Sequence, residues 1–146
     1  MDLEQVRARG LEFVSASSGR LLNFALKFNK VNTLVTGGGH ANIEIEDDAL
    51  VEGVLFLLKD ERAIEIMDPF EGVPLRYRRI SVLVQCEGGP HNAWTYIAQP
   101  QFVSERLQPT RTYLQRLLNG RPFLSQDYWH WLAQHSVIDE GVVNRG

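Results

Sequence analysis

At 146 residues, 44% hydrophobic and 23% charged, the chain has the length and composition of one globular domain. Its longest apolar run, Val54 to Leu58, is far short of the roughly 20 residues of a membrane span. Fifteen basic residues against 18 acidic ones give a net charge of −3, which argues against a nucleic-acid or membrane-surface partner. The one cysteine, Cys86, excludes an internal disulfide and a Cys-x-x-Cys metal knuckle. Met1-Asp2-Leu3-Glu4 lacks the apolar stretch of a secretory signal, so a cytoplasmic location is expected.

Taken in chain order, Asp2 with Gln5 three residues on resembles a capping box. Leu3 and Val6 share a face, and Gly10 stops this short first helix. Leu21 to Phe28, rich in Leu and Phe, predicts a strand. Val51 to Leu58, almost continuously apolar, predicts a strand buried on both faces. Asp60 caps a second helix that carries Ala63, Ile64 and Met67 and ends at Pro69. Ile80 to Val84 and Trp94 to Ala98 predict two paired strands, with Glu87-Gly88-Gly89-Pro90 as the turn between them. A third helix runs from about Thr110 to Asn119 on a stripe of Tyr113, Leu114, Leu117 and Leu118, with Gly120 as its stop. Ser125 opens a fourth, with Tyr128, Trp131 and Leu132 on one side. This order predicts an α+β fold with a mostly antiparallel or mixed sheet, not regular βαβ alternation. Apolar periodicity stops near residue 138, so one domain over 1–138 and a flexible tail over 139–146 are expected.

The chemistry-bearing residues are few. His130 and His135 are five apart and do not share a helix face, and no third ligand stands at matched spacing. The four histidines therefore read as ordinary surface or core residues, and no metal or cofactor is expected. Gly37-Gly38-Gly39-His40 lacks the Lys-Ser or Lys-Thr that ends a phosphate loop. What remains is a flexible loop whose bare N–H groups a ligand could approach. Cys86 has no sequence neighbour that would activate it and reads as a structural thiol. Arg76, Arg78 and Arg79 stand in a chain without net positive charge and read as a solvated strand face, ahead of an RNA grip. Asp68-Pro69-Phe70-Glu71-Gly72-Val73 is more informative. A rigid turn between helix and strand can hold a carboxylate partly out of water, and desolvation raises its pKa toward the range of a general base. The plain alternative is a solvated Glu before a Gly.

Several blocks then recur in a recognisable order. They are Phe24-Ala25-Leu26-Lys27-Phe28-Asn29-Lys30, Gly37-Gly38-Gly39-His40-Ala41-Asn42-Ile43, Val51-Glu52-Gly53-Val54-Leu55-Phe56, the Asp68 to Val73 turn with Tyr77, Trp94-Thr95-Tyr96, and Tyr113 seven residues before Gly120. From Met1 to about Leu132 this succession resembles the γ-glutamylcyclotransferase-like (avirulence-induced-gene-like) family. The resemblance implies a small mixed-sheet, barrel-like α+β fold with flanking helices. It also implies an activity without metal or cofactor: the α-amino group of a γ-glutamyl amide attacks its own γ-carbonyl, giving pyroglutamate (5-oxoproline) and a free amine or amino acid. By position, Glu71 matches the family's catalytic glutamate and Tyr113 a substrate-contacting tyrosine. Tyr77 and Tyr96 would line the site, with Gly38 and Gly39 nearby. The implied partner is a small γ-glutamyl molecule.

The family's opening strand ends in a Tyr-Gly-Ser-Asn loop that supplies backbone donors, and this sequence does not contain that tetrapeptide. Met1-Asp2-Leu3-Glu4 aligns with the helix that follows the loop. One expectation is a longer native protein with an upstream strand. The other is a relative that lost the loop, a non-catalytic binding or interaction module on the same fold. In that case the bared sheet edge would suit a second copy of the chain in a homodimer.

Overall fold

The computed structural model describes residues 3–140. Four helices and four long strands follow one another as α1 (Leu3–Ala8), β1 (Phe13–Val31), β2 (Gly39–Leu58), α2 (Ile64–Met67), β3 (Tyr77–Cys86), β4 (Gly89–Ala98), α3 (Arg111–Leu118) and α4 (Gln126–Ala133). The strands form one antiparallel sheet in the order β2-β1-β3-β4. Among the described residues, parallel pairing is confined to two isolated bridges, Gly38 with Gln108 and Thr110 with Ile138. The α+β fold with helices flanking a sheet is the one expected.

The helix signals lie where the sequence put them. Gly10 adopts φ +81 just after α1. The expected cap of α1, Asp2, lies outside the described residues. Asp60 Oδ1 accepts the Arg62 N–H at 2.9 Å and opens a short 3-10 turn that runs into α2. Thr110 and Ser125 cap α3 and α4 through their hydroxyl oxygens, which accept the N–H of Tyr113 and of Tyr128. Residues 141–146 of the expected tail also lie outside the described residues, whereas Ile138 is pinned by its bridge to Thr110. Among the described residues no helix is long and apolar enough to cross a membrane.

The strands differ more. The expected Leu21–Phe28 and Val51–Leu58 are parts of a hairpin two and a half times longer, Phe13–Val31 against Gly39–Leu58. The Ser-rich first half of β1 and the acidic first half of β2 carry little apolar signal, and pairing with each other's apolar half makes them strands. Val51–Leu58 is not buried on both faces: β2 ends the sheet order, and Leu57 stays 60% exposed. Bulges break the register between Leu22 and Phe24 and between Lys27 and Lys30. At the first, Asn23 and Asp48 both take positive φ, and the Asp48 N–H donates to Asn23 Oδ1 at 3.1 Å. Gly19 lets β1 pass close under β3, since a Cβ there would meet Val84 Cγ1 at 2.7 Å. On α4, Leu132 is buried but Trp131 is 42% exposed, so the two do not share the inward side that was expected.

Two separate cores result. Val6, Leu11, Ala63 and Met67 join α1 and α2 to one end of the hairpin, with Phe56 and Tyr96 packed against them. Phe28, Leu114 and Leu132 join α3 and α4 to the other end, with Ala41 and Tyr113 packed against them. Buried Asn42 ties the sheet together between them, donating to Asn29 Oδ1 at 3.1 Å and accepting the Ala98 N–H at 2.8 Å.

Candidate active site

Glu71 sits in the turn that follows α2, just past Met67 of the first core. Its N–H donates to Met67 O, the N–H of Gly72 to Pro69 O, and the N–H of Val73 to Asp68 O. Gly72 closes this coil at φ +64, a conformation that favours glycine. The turn is rooted in the sheet through Asp68. Its Oδ1 accepts the Tyr96 hydroxyl at 2.7 Å and its Oδ2 pairs with Arg79 Nη1 at 3.2 Å. The turn thus carries Glu71 on a braced loop.

The Glu71 carboxylate is mostly withdrawn from water, and burial pushes its pKa up. Arg9 and Lys30 pull the other way without cancelling the rise. Arg9 lies over the Phe70 ring at 5.1 Å and brings Nη1 to 3.7 Å from Glu71 Oε1. A half-buried carboxylate whose pKa is raised, yet which keeps a cation in reach, is a stronger base than an ordinary glutamate and suits proton exchange with a substrate.

Two tyrosines bracket the backbone of Ala41 beside it. The Tyr77 hydroxyl donates to Ala41 O at 3.0 Å, and the Ala41 N–H donates to Tyr113 Oη at 3.0 Å. The consequence is asymmetric. The Tyr77 proton is committed, while Tyr113 Oη accepts and so keeps its own proton for another acceptor. Burial raises the pKa of both, that of Tyr113 to about 12, so both hydroxyls stay neutral at working pH. The charge on Glu71 adds to the rise in each, which locates them near its carboxylate. Tyr113→Phe would leave the Ala41 N–H without its acceptor in a half-buried place. Urea unfolding should record a loss of about 1–3 kcal/mol.

Gly38 and Gly39 are buried at the end of the β1–β2 connection, and Gly39 begins β2 rather than lying in a flexible loop. Their N–H groups are already bonded, to Val35 O at 2.9 Å and Gln108 O at 2.8 Å. Their part here is to let the chain turn tightly and deliver His40 and Ala41. Tyr96 stands farther along β4, with its proton given to Asp68. The Glu71 charge still raises its pKa, behind the larger effects of burial and Asp68. The structure therefore brings Glu71, Tyr77 and Tyr113 together, with Tyr96 supporting the turn and the two glycines supporting the strand.

Lys30, His40, Arg9 and Arg76 join this cluster without having been singled out for it. Lys30 is paired with His40 across the ladder, and its Nζ lies over the Tyr77 ring at 5.5 Å. His40 packs its ring against Tyr113 at 4.9 Å. Burial, then the charges of Lys30 and Arg76, push the His40 pKa down to about 4, so it is neutral at pH 7. The arginine trio does not form one solvated face. Arg78 is exposed, Arg79 pairs with Asp68 and lies over Trp94 at 4.6 Å, and the charge of Arg76 acts on Lys30 and His40. Among the described residues no three His, Cys, Asp or Glu side chains gather as a metal site would need. A groove lined by Ser18, Glu52, Cys86 and Ser125 lies apart from Glu71 and its neighbours.

The AIG2-like family matches residues 50–132, the stretch that contains the Glu71 turn, β3, β4, α3 and most of α4. The chain belongs to this family, and its fold is the γ-glutamylcyclotransferase-like one. A solved gamma-glutamyl cyclotransferase superposes with a TM-score of 0.78 at 22% identity, over 94% of this chain and 83% of that one. An uncharacterized protein from Homo sapiens superposes at 0.76 with 22% identity, over 92% and 80%. YkqA from Bacillus subtilis superposes at 0.79 with 22% identity, over 91% of this chain but 49% of that one. At such identities the likeness is one of fold. No curated protein matches the chain in sequence.

Proposed function

We propose that this chain cyclises a γ-glutamyl amide, releasing 5-oxoproline and an amine or amino acid. The observation that carries this reading is Glu71: a carboxylate held out of water on a braced turn, its pKa raised, beside a tyrosine whose proton is uncommitted. The family and fold are consistent with it.

The chemistry asks little of the protein. The α-amino nitrogen attacks the γ-carbonyl carbon of the same molecule, so binding has only to fold the substrate into a five-membered ring-closing pose. Glu71 accepts the proton that the α-amine sheds as the new C–N bond forms. The former carbonyl oxygen gathers charge, and the Tyr113 O–H is a neutral donor able to meet it. The old C–N bond then breaks, and the proton held on Glu71 passes to the leaving nitrogen. Burial serves both proton transfers, since a carboxylate of ordinary pKa would be too weak a base for an amine.

The test is direct. Purified chain incubated with a panel of γ-glutamyl-amino acids and γ-glutamylamines should release 5-oxoproline and amine in equal amounts from at least one of them. Every member of the panel surviving intact would contradict the proposal.

A further inference from the structure

Lys30 is 97% withdrawn from solvent, with only 3% of its surface exposed. Among the described residues its Nζ has no carboxylate within ion-pair distance. Its neighbours are the faces of Tyr77 at 5.5 Å and Phe102 at 5.9 Å. The chain's other two lysines behave differently: Lys27 pairs with Glu44 at 3.1 Å and Lys59 with Glu12 at 3.3 Å, both at the surface. Drawing an ammonium away from bulk water is unfavourable unless something compensates it, and two ring faces do so only partly. Glu71 is the one nearby anion that acts on Lys30, and that carboxylate lies within reach of Arg9 instead. Arg9, Lys30 and Arg76 together outnumber Glu71 three to one. Neutral His40, opposite Lys30 in the ladder, adds no charge of either sign. The cluster as it stands lacks a negative charge beside Lys30.

We propose that Lys30 receives the α-carboxylate of the γ-glutamyl group and makes that carboxylate a condition of tight binding. The proposal rests on the cyclisation reading and narrows it. A 4-aminobutanoyl amide carries the same amine and the same γ-carbonyl and could close the same ring. It lacks only the carboxylate, so Lys30 is the residue that would reject it. The ammonium is pre-positioned by Tyr77 and Phe102, so little side-chain freedom is lost when the anion arrives.

The experiment compares binding of 5-oxoproline with that of 2-pyrrolidinone, the same ring without the carboxylate, by calorimetry on the full chain. Wild type should favour 5-oxoproline by roughly tenfold or more, as a charged hydrogen bond warrants. Lys30→Met, which keeps the length and apolar stem, should bring the ratio close to one, and Lys30→Arg should keep most of it. An unchanged ratio in folded Lys30→Met overturns the proposal, as does a wild type that binds both rings equally or neither. Tight binding of the free leaving amino acid with indifference to 5-oxoproline would assign the charge to the leaving side and also overturns it.

Should Lys30→Met fail to fold, carbon-13 labelling of the three lysines in wild type decides instead. The Lys30 side-chain signal should move with 5-oxoproline and stay still with 2-pyrrolidinone, and an unmoved signal counts against the proposal. The two readings fail separately. Carboxylate preference without any turnover leaves Lys30 standing and removes cyclisation, and turnover without preference does the reverse.

Discussion

Glu71→Gln should lower 5-oxoproline release by roughly 10²–10⁴-fold, the usual worth of a positioned general base. The amide keeps the shape of the side chain but cannot take the amine proton. The same variant should be at least as stable as wild type at neutral pH. The sign follows from linkage. The Glu71 pKa in the folded protein is raised, so its protonated form is the one the fold favours. That stability is fully present below the ordinary carboxylate range and is lost as pH rises through the raised value. Above that raised value the ionised carboxylate burdens the fold, and Gln removes the burden. Activity runs the opposite way. The kcat/KM of wild type should fall on the acid side as Glu71 takes up its proton, with an apparent pKa above the ordinary 4.5 of a glutamate. A pH–rate profile and thermal melts on the two proteins check both halves. Undiminished release by Glu71→Gln would remove Glu71 as the base.

The largest effect on the fold should come from Gly39→Ala. A Cβ at this position would collide with the Phe28 carbonyl oxygen and come within 2.8 Å of Leu107 Cβ. Backbone stands on one side of that contact, so no side-chain rotation relieves it. A loss of roughly 2–3 kcal/mol or more is expected, the upper end for overpacking. The bulge between Lys27 and Lys30 must shift to make room, so Lys30 and His40 move with it and activity should fall too. Gly53 on the same strand is the control. Nothing lies within 4 Å of a Cβ there, and Gly53→Ala should be neutral or stabilising by up to about 1 kcal/mol. Urea unfolding of the two variants separates crowding from a general intolerance of alanine in β2.

The sequence signals that were readable are local ones. Thr110 and Gly120 bracket α3, Asp60 opens the 3-10 turn before α2, and Glu87-Gly88 turn β3 into β4. The turn around Glu71 was legible as a place where a carboxylate is held, because Pro69 and Gly72 mark it in the sequence. The hairpin was only half legible. Ser15 to Gly19 and Glu44 with its neighbours carry little apolar signal of their own, and they are strand because Ser15 to Gly19 pairs with Leu57 to Gly53 and Glu44 with Ala25. That non-local pairing also hid much of the site. Lys30 looked like one of many charges, and nothing within a few residues says that it will be buried against Tyr77 and Phe102. His40 read as an ordinary histidine until the bulge at Phe28 and the turn at Gly38 set it beside Tyr113. Arg76, Arg78 and Arg79 look alike in sequence, yet alternation along β3 sends Arg78 outward and Arg79 to Asp68.

The most direct measurement is the fate of the γ-carbonyl carbon in water enriched in oxygen-18. The chain is incubated with a γ-glutamyl amide, and the products are weighed by mass spectrometry. Intramolecular attack predicts unlabelled 5-oxoproline in equal amount to the released amine, because no water oxygen enters the ring. Glutamate carrying the heavy oxygen would mean that water, not the α-amine, is the nucleophile, and would contradict the account of the site built around Glu71.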